Sequence, residues 1–110
     1  MAKTSLLRAA VLAMLAISLS LWTKPTAAQD AATAYKSKCA MCHGADGKGE
    51  TPVGKKMGVH DLGSVEVQGM KDAELTTIIS DGKNKMPSYK KSLSADQIKD
   101  LVAYVRSLKK

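Results

Sequence analysis

The stretch that most constrains this chain is Cys39-Ala40-Met41-Cys42-His43, which contains its only two cysteines. Two cysteines separated by two residues and followed by a histidine are the pattern for covalent attachment of haem through two thioethers. On one helical turn, residues three apart lie on the same face, so both sulfurs can reach neighbouring edges of a single macrocycle. The adjacent histidine can then offer a neutral imidazole to the iron. We therefore predict that Cys39 and Cys42 attach haem and that His43 is an axial ligand.

Three other roles for these cysteines are weaker. A disulfide between them would close a very short loop and would stabilise the chain little. A thioredoxin-like redox pair needs a βαβ setting, and the sequence contains no convincing strand pattern. A zinc site would need His60 as its fourth ligand, but the spacing matches none of the common zinc frameworks. Haem attachment remains the prediction.

The first 28 residues have the organisation of a secretory signal peptide. Lys3 and Arg8 form a short positive region, an uncharged apolar run follows over 9–22, and small residues precede a cleavage point after Ala28. The apolar run is shorter than the ~20 residues that a membrane-spanning helix needs. We therefore predict cleavage after Ala28 and a mature domain, 29–110, without stable membrane insertion. Its compartment would be a periplasm or, in a photosynthetic host, a thylakoid lumen.

The mature domain is small, poor in aromatic residues and basic. It contains no phenylalanine or tryptophan, so its own side chains make a thin core that an apolar cofactor would complete. Removing the 3 basic residues of the leader from 17 leaves 14 against 10 acidic residues, a net charge of +4. This balance favours a partner protein with an acidic face, although the same lysines also solvate the surface. Export and the few aromatics argue against nucleic acid as a partner.

Three helices are predicted around the motif. The first spans about 31–39, with Asp30 as its N-cap. The second spans about 72–80 and ends before a glycine suited to a left-handed conformation. The third is the clearest, because a Ser/Gln capping box precedes apolar residues at helical spacing over 94–108. The glycine-rich stretch 44–69 is predicted to be an extended loop that wraps around something.

A methionine between the second and third predicted helices is the candidate for the sixth iron ligand. Pro87 biases Met86 towards an extended conformation, so its side chain can project inward. A thioether is a soft ligand suited to low-valent iron, and histidine–methionine ligation raises the reduction potential of a haem. Met57 and Met70 are instead predicted to fill gaps in the core. His60 is the alternative sixth ligand and would give a lower potential.

Four segments of the chain together resemble a small class I c-type cytochrome of the soluble monohaem bacterial or photosynthetic type. These segments are Cys39–Gly49, Lys55–Gly58, Gly82–Pro87 and Leu93–Leu108. The resemblance covers nearly the whole mature chain. It implies an all-α fold of three or more short helices around one covalently bound haem c, with the terminal helices crossing. It also implies that Cys39 and Cys42 form the thioethers and that His43 and Met86 are the proximal and distal ligands.

The same resemblance implies two packing features. Ala31 and Tyr35 are expected to face the last helix near Leu101 and Tyr104. A proline carbonyl after the motif commonly orients the proximal imidazole in this family, and Pro52 is the available candidate. Both expectations can be compared directly with the structure.

The predicted function is electron transport and not enzyme catalysis. A monomeric, exported carrier would pass single electrons through haem c between partner proteins with acidic faces. Two alternatives stay open. A haem-containing subunit or domain of a larger redox complex would expose an apolar face beyond the haem edge. A haem enzyme or gas sensor would need an open sixth site, against which the Met86-Pro87 pair argues.

Overall fold

The computed structural model describes residues 23–110, so most of the predicted leader lies outside the described part of the chain. The described residues are helical, and their only ladder contact is one isolated bridge between Lys83 and Met86. The helices are α1 Ala27–Lys38, α2 Ala40–His43, α3 Pro52–Met57, α4 Val65–Gln68, α5 Asp72–Asp81 and α6 Ala95–Ser107. Within 23–110, none of them has the length and apolar character needed to cross a bilayer. The all-α prediction is confirmed.

The first helix begins earlier than the sequence analysis predicts. Thr26, and not Asp30, is the N-cap: its hydroxyl accepts from the Gln29 N–H at 3.3 Å, and the Gln29 side chain accepts from the Thr26 N–H at 3.1 Å. This reciprocal pair satisfies two N–H groups that a helix start leaves unpaired. Asp30 instead lies in the first turn, where a carboxylate favours the helix dipole. The predicted cleavage point after Ala28 therefore falls inside the first turn of α1.

The last two helices lie close to their predicted positions. The start of α5 has no hydroxyl cap, but the Glu74 carboxylate accepts from the Lys71 N–H at 2.7 Å. At the start of α6, the predicted capping box is present. Gln97 N–H donates to the Ser94 hydroxyl at 3.1 Å, and Ser94 N–H donates to the Gln97 side chain at 2.8 Å. The local sequence signal was therefore sufficient at the start of α6.

The prediction of one extended loop over 44–69 is wrong, because this stretch contains α3 and α4. The Thr51 hydroxyl accepts from the Gly54 N–H at 2.9 Å and caps α3. The Ser64 hydroxyl accepts from the Val67 N–H at 3.3 Å and caps α4. Helices this short are not stable by themselves. Their apolar periodicity is too brief to see in the sequence, and packing decides whether they form.

The core lies on both sides of α6, the helix that contributes most to it. One buried cluster comprises Tyr35, Leu93, Ile98 and Leu101. The other comprises Val67, Leu75, Val102 and Val105. The Tyr35 ring lies 4.6 Å from the Tyr104 ring, between centroids, so α1 packs against α6 as predicted. The two terminal helices thus form the frame on which the shorter elements are placed.

Candidate haem-binding site

One cavity of about 410 Å³ lies between the helices, and all four predicted haem residues line it. These residues are Cys39, Cys42, His43 and Met86. The volume is within the ~300–1,000 Å³ typical of cofactor sites. Much of the remaining wall is apolar and comes from the α3–α4 connection, α4, α5 and α6, through Leu62, Val67, Leu75, Ile79, Leu101 and Val105. The fold therefore brings the attachment motif and the distant methionine to one apolar enclosure.

The attachment motif occupies a single helical turn. The N–H groups of Cys42 and His43 both donate to the Cys39 carbonyl, at 3.2 and 2.9 Å. Both thiols are partly buried and free of any disulfide. Burial raises the pKa of the Cys39 thiol. The disulfide alternative is therefore not realised, and the two sulfurs lie on one turn beside the cavity, as attachment to one macrocycle requires.

Contacts from α3 and the residues just before it brace this turn. The Thr51 hydroxyl donates to the Cys42 carbonyl at 3.0 Å, and Gly49 N–H donates to the His43 carbonyl at 2.7 Å. A Cβ placed on Gly54 would lie only 2.2 Å from the Cys42 oxygen. Glycine is therefore required where α3 and the attachment turn meet backbone to backbone.

The His43 imidazole is partly buried and one of its nitrogens has no hydrogen-bond partner among the described residues. Burial lowers the pKa of its imidazole, and the neutral form is the one that ligates iron. Its Nδ1 is buried without a hydrogen-bond partner in the described chain. The prediction that the Pro52 carbonyl orients the ring is wrong, because Pro52 is the first residue of α3 and its carbonyl is directed along that helix. A ring whose partners the protein alone does not supply fits a site completed by a cofactor.

Met86 stands on a tight turn that faces the same cavity. Lys83 N–H donates to the Met86 carbonyl at 3.1 Å, and Met86 N–H donates to the Lys83 carbonyl at 2.9 Å. Two residues of this segment have positive φ, Gly82 at 79° and Asn84 at 54°. A Cβ on Gly82 would lie 2.6 Å from the Met86 oxygen. The turn therefore depends on the close passage of its own backbone, which glycine permits.

Contacts with two helices hold the segment after Met86 in place. Tyr89 N–H donates to the Ile79 carbonyl and Lys90 N–H to the Ser80 carbonyl, both at 3.1 Å. The Tyr89 hydroxyl donates to the Lys38 carbonyl at 3.0 Å. Tyr89 is not among the residues predicted from sequence, because its partner is 51 positions away and leaves no local signal. These bonds join the methionine turn to α5 and to the end of α1.

The remaining candidates have different surroundings. His60 also lines the cavity, but its side chain is 68% exposed and its Nδ1 pairs with Glu66 Oε2 at 3.6 Å. Met70 packs against the second core cluster, as predicted. Met57 lines the cavity and belongs to neither core cluster, so the core prediction for it is wrong. Its helix ends there, and Gly58 with φ of 66° turns the chain away.

Comparison with known proteins gives the same assignment. The family model described as "Cytochrome C oxidase, cbb3-type, subunit III" matches residues 26–105. The chain is 37% identical over 87 residues to cytochrome c6 of Rippkaea orientalis, covering 76% of this chain and 75% of that protein. It is 35% identical over 99 residues to cytochrome c6 of Nostoc, covering 86% of each. The predicted family is confirmed.

Two further matches define the extent of the likeness. The chain is 34% identical over 88 residues to the CcoP subunit of the cbb3-type oxidase of Azospirillum brasilense, and spans only 30% of that subunit's length. The solved KustC0563 c-type cytochrome has a TM-score of 0.69 and 31% identity, covering 74% of this chain and 99% of its own. The chain therefore belongs to the class I c-type cytochromes and is a haem c electron carrier with one covalently bound haem.

Proposed function

We propose that this cytochrome is an exported carrier whose haem is held by Cys39 and Cys42 through thioethers and ligated axially by His43 and Met86. The observation that carries the proposal is that these four side chains, from separate parts of the chain, line one apolar cavity. In this role the chain binds no substrate at the metal. With haem bound, His43 and Met86 would together hold the iron and leave it no free site for a substrate, which favours an electron carrier over an enzyme.

The chain's residues serve each part of this task. Haem c supplies the redox chemistry, a one-electron change between ferrous and ferric iron. The neutral imidazole of His43 and the neutral thioether of Met86 are suitable ligands for both ferrous and ferric iron. The soft thioether favours the ferrous state. The two thioethers prevent loss of the cofactor. The apolar wall excludes water, so little has to rearrange when the charge changes.

Three exposed lysines at the cavity support an acidic-faced partner. Lys38, Lys83 and Lys85 all line it, and the last two belong to the methionine turn. Positive charge beside the site of electron transfer steers an acidic protein surface towards it. Electron transfer with such a partner should slow as salt is added, because screening weakens this attraction. A rate independent of ionic strength would contradict the acidic-face proposal.

The first test is an optical spectrum of protein matured in a periplasm that attaches haem. We expect haem that survives acidic organic extraction, and a ferric charge-transfer band characteristic of sulfur ligation. Met86→Ala should lose that band and keep the haem. Met41→Ala is the matched control and should keep both, because the Met41 side chain is 73% exposed within the attachment turn.

The alternative results are equally informative. Absence of covalent haem would contradict the proposal as a whole. Covalent haem without the band, together with ready binding of carbon monoxide, would support the open-site enzyme or sensor instead. If Met86→Ala keeps the charge-transfer band, another residue is the sixth ligand. That residue cannot be His60, because the band reports sulfur ligation and histidine has no sulfur.

Export is tested through the start of α1. If cleavage occurs after Ala28, the mature protein lacks Thr26. Introducing Thr26→Ala into the precursor should then leave the free energy of unfolding of the mature protein unchanged. If Thr26 is retained, the same substitution removes the N-cap and lowers the free energy of unfolding by roughly 0.5–2 kcal/mol. The intact mass of the purified protein identifies the first residue of the chain directly. A mass that includes residues 1–28 would contradict the proposed cleavage of a signal peptide.

A second candidate function is a haem domain of a larger redox complex. The match to a CcoP subunit, of which this chain spans 30%, favours it. Val65, which is 91% exposed, would be a point of contact for such an assembly. The size of the native protein extracted from its source decides between the two: a particle of the monomer's mass supports the free carrier, and a large complex supports the subunit.

A further inference from the structure

Arg106, near the end of α6, is the only arginine outside the predicted leader. Its side chain is 29% exposed, and its guanidinium has three separate acceptors. Nη1 donates to the Gln68 carbonyl at 2.9 Å, and Nη2 donates to the Met70 carbonyl. Nε and Nη2 donate to Asp72 Oδ1 at 2.9 and 2.8 Å. The planar guanidinium fork of arginine can donate to several separate acceptors at once, whereas lysine donates only from a single ammonium nitrogen.

The three acceptors belong to one stretch of chain, 62–72, which we call the α4 strap. A second side chain joins the strap to α6, because Gln68 Nε2 donates to the Leu62 carbonyl at 2.8 Å and to the Val105 carbonyl at 2.9 Å. Besides the packing of Val67 against Val102 and Val105, the strap is therefore attached to α6 by side-chain hydrogen bonds to backbone carbonyls and to the Asp72 carboxylate. These hydrogen bonds span 37 positions from Gln68 and 34 to 38 positions from Arg106.

The α4 strap forms part of the cavity wall through Leu62, Val67 and Met70. Its helix has four residues and cannot hold its own shape without tertiary support. The position of this wall therefore depends on what attaches the strap to α6. Cavity walls of this kind control access of water and the local dielectric, and through these the reduction potential.

We propose that Arg106 is a positioning residue that holds the α4 strap as the water-excluding wall of the haem cavity, and thereby raises the reduction potential and limits entry of small ligands. This inference rests on the proposed function, since it assigns the cavity to haem c. Loss of the fork lets the strap open. With haem bound, water admitted to the cavity would favour the more highly charged ferric state, so the potential would fall.

The test compares Arg106→Lys, which keeps the charge and loses the fork, with Lys99→Gln, an exposed control on the same helix. Three quantities are measured on the holoprotein well below the unfolding temperature of each variant. We expect Arg106→Lys to lower the reduction potential. The rate at which carbon monoxide combines with the ferrous protein, and amide exchange at Gln68, Gly69 and Met70, should each rise roughly tenfold or more. Lys99→Gln should leave all three unchanged.

A second variant separates the carboxylate from the backbone acceptors. Asp72→Asn keeps both carbonyl contacts of the guanidinium, and the Asp72 side chain is 75% exposed, so each effect should be about twofold or less. If Arg106→Lys lowers only the unfolding temperature and otherwise matches Lys99→Gln, Arg106 stabilises the fold without acting on the site and the inference is overturned. Failure of the proposed function looks different, because wild-type protein would then lack covalent haem or bind carbon monoxide at once. Amide exchange of the strap tests Arg106 even in that case.

Discussion

The two sides of the cavity that carry the haem residues are built in different ways. On the attachment side, Cys39 to His43 are consecutive and lie on one turn whose hydrogen bonds are local. On the methionine side, Met86 stands on a turn whose place depends on partners up to 51 positions away. The first geometry is a property of a short sequence, and the second is a property of the assembled fold. The two sides should therefore fail separately, which the following substitutions test.

The largest effect is expected on the attachment side, from Gly54→Ala. The new Cβ would lie 2.2 Å from the Cys42 oxygen and 2.6 Å from the Gly49 oxygen, so backbone has to move. We expect a loss of roughly 3 kcal/mol or more in the free energy of unfolding, measured in denaturant, and a lower yield of covalent haem. Gly58→Ala is the control. It meets nothing within 4 Å and has only the strain of its φ of 66°, about 1 kcal/mol. Equal losses in both variants would contradict the backbone contact.

The next effect should break the methionine side alone. In Gly82→Ala the Cβ would lie 2.6 Å from the Met86 oxygen at a φ of 79°, so the turn has to rearrange. We expect a loss of about 2–3 kcal/mol in stability. More tellingly, the sulfur charge-transfer band should disappear while the haem stays covalently attached. A variant that loses its haem together with the band would show that the two sides are not independent.

Two tyrosine hydroxyls give a finer comparison. The buried Tyr35 hydroxyl donates to the Gly44 carbonyl at 2.7 Å beside the attachment turn, and Tyr35→Phe should cost about 1 kcal/mol because it removes this bond while Gly47 N–H still donates to the same carbonyl. The more exposed Tyr89 hydroxyl donates to the Lys38 carbonyl, and Tyr89→Phe should cost about 0.5–1.5 kcal/mol. Thermal melts followed at the charge-transfer band and by circular dichroism should separate only in Tyr89→Phe. If the two melting curves separate in both variants, the two hydroxyls do not act on different sides of the cavity.

The smallest effect is a pH dependence of stability at the contact between Asp61 and Lys110, which lies outside both sides of the cavity. The hydrogen bond from Lys110 lowers the pKa of the Asp61 carboxyl, with a further contribution from Gly63 N–H. Because the folded pKa lies below the unfolded one, the contribution to stability is present above about pH 4 and is lost as the pH falls through the folded value. Asp61→Asn should therefore lower the unfolding temperature slightly at pH ~7, and this difference should shrink as the pH falls through the folded pKa of Asp61. A difference that persists in acid would assign the effect to the Gly63 contact.

The comparison also explains which predictions from sequence were right. The attachment turn and the start of α6 follow from signals a few residues long, and the structure has both as predicted. Met86 lines the cavity as predicted, but contacts of the following segment with α1 and α5 place its turn there, which the local effect of Pro87 does not. The Pro52 contact, the burial of Met57 and the start of α1 at Asp30 were wrong. Each depended on where a helix begins or ends, and the caps at Thr26, Thr51 and Gly58 decided that.

By itself the sequence determined the cofactor chemistry of this protein: two thiols and an imidazole on one turn, an all-α frame, and a methionine kept off a helix. These features depend on backbone geometry over a few residues, so they can be recognised without knowing what lies nearby. Only the tertiary structure decided that α3 and α4 form, that Gly54 and Gly82 admit close backbone contacts, and that Arg106 attaches the α4 strap. The reason is physical. The free energies that select these features come from partners tens of positions away, and no local pattern records them.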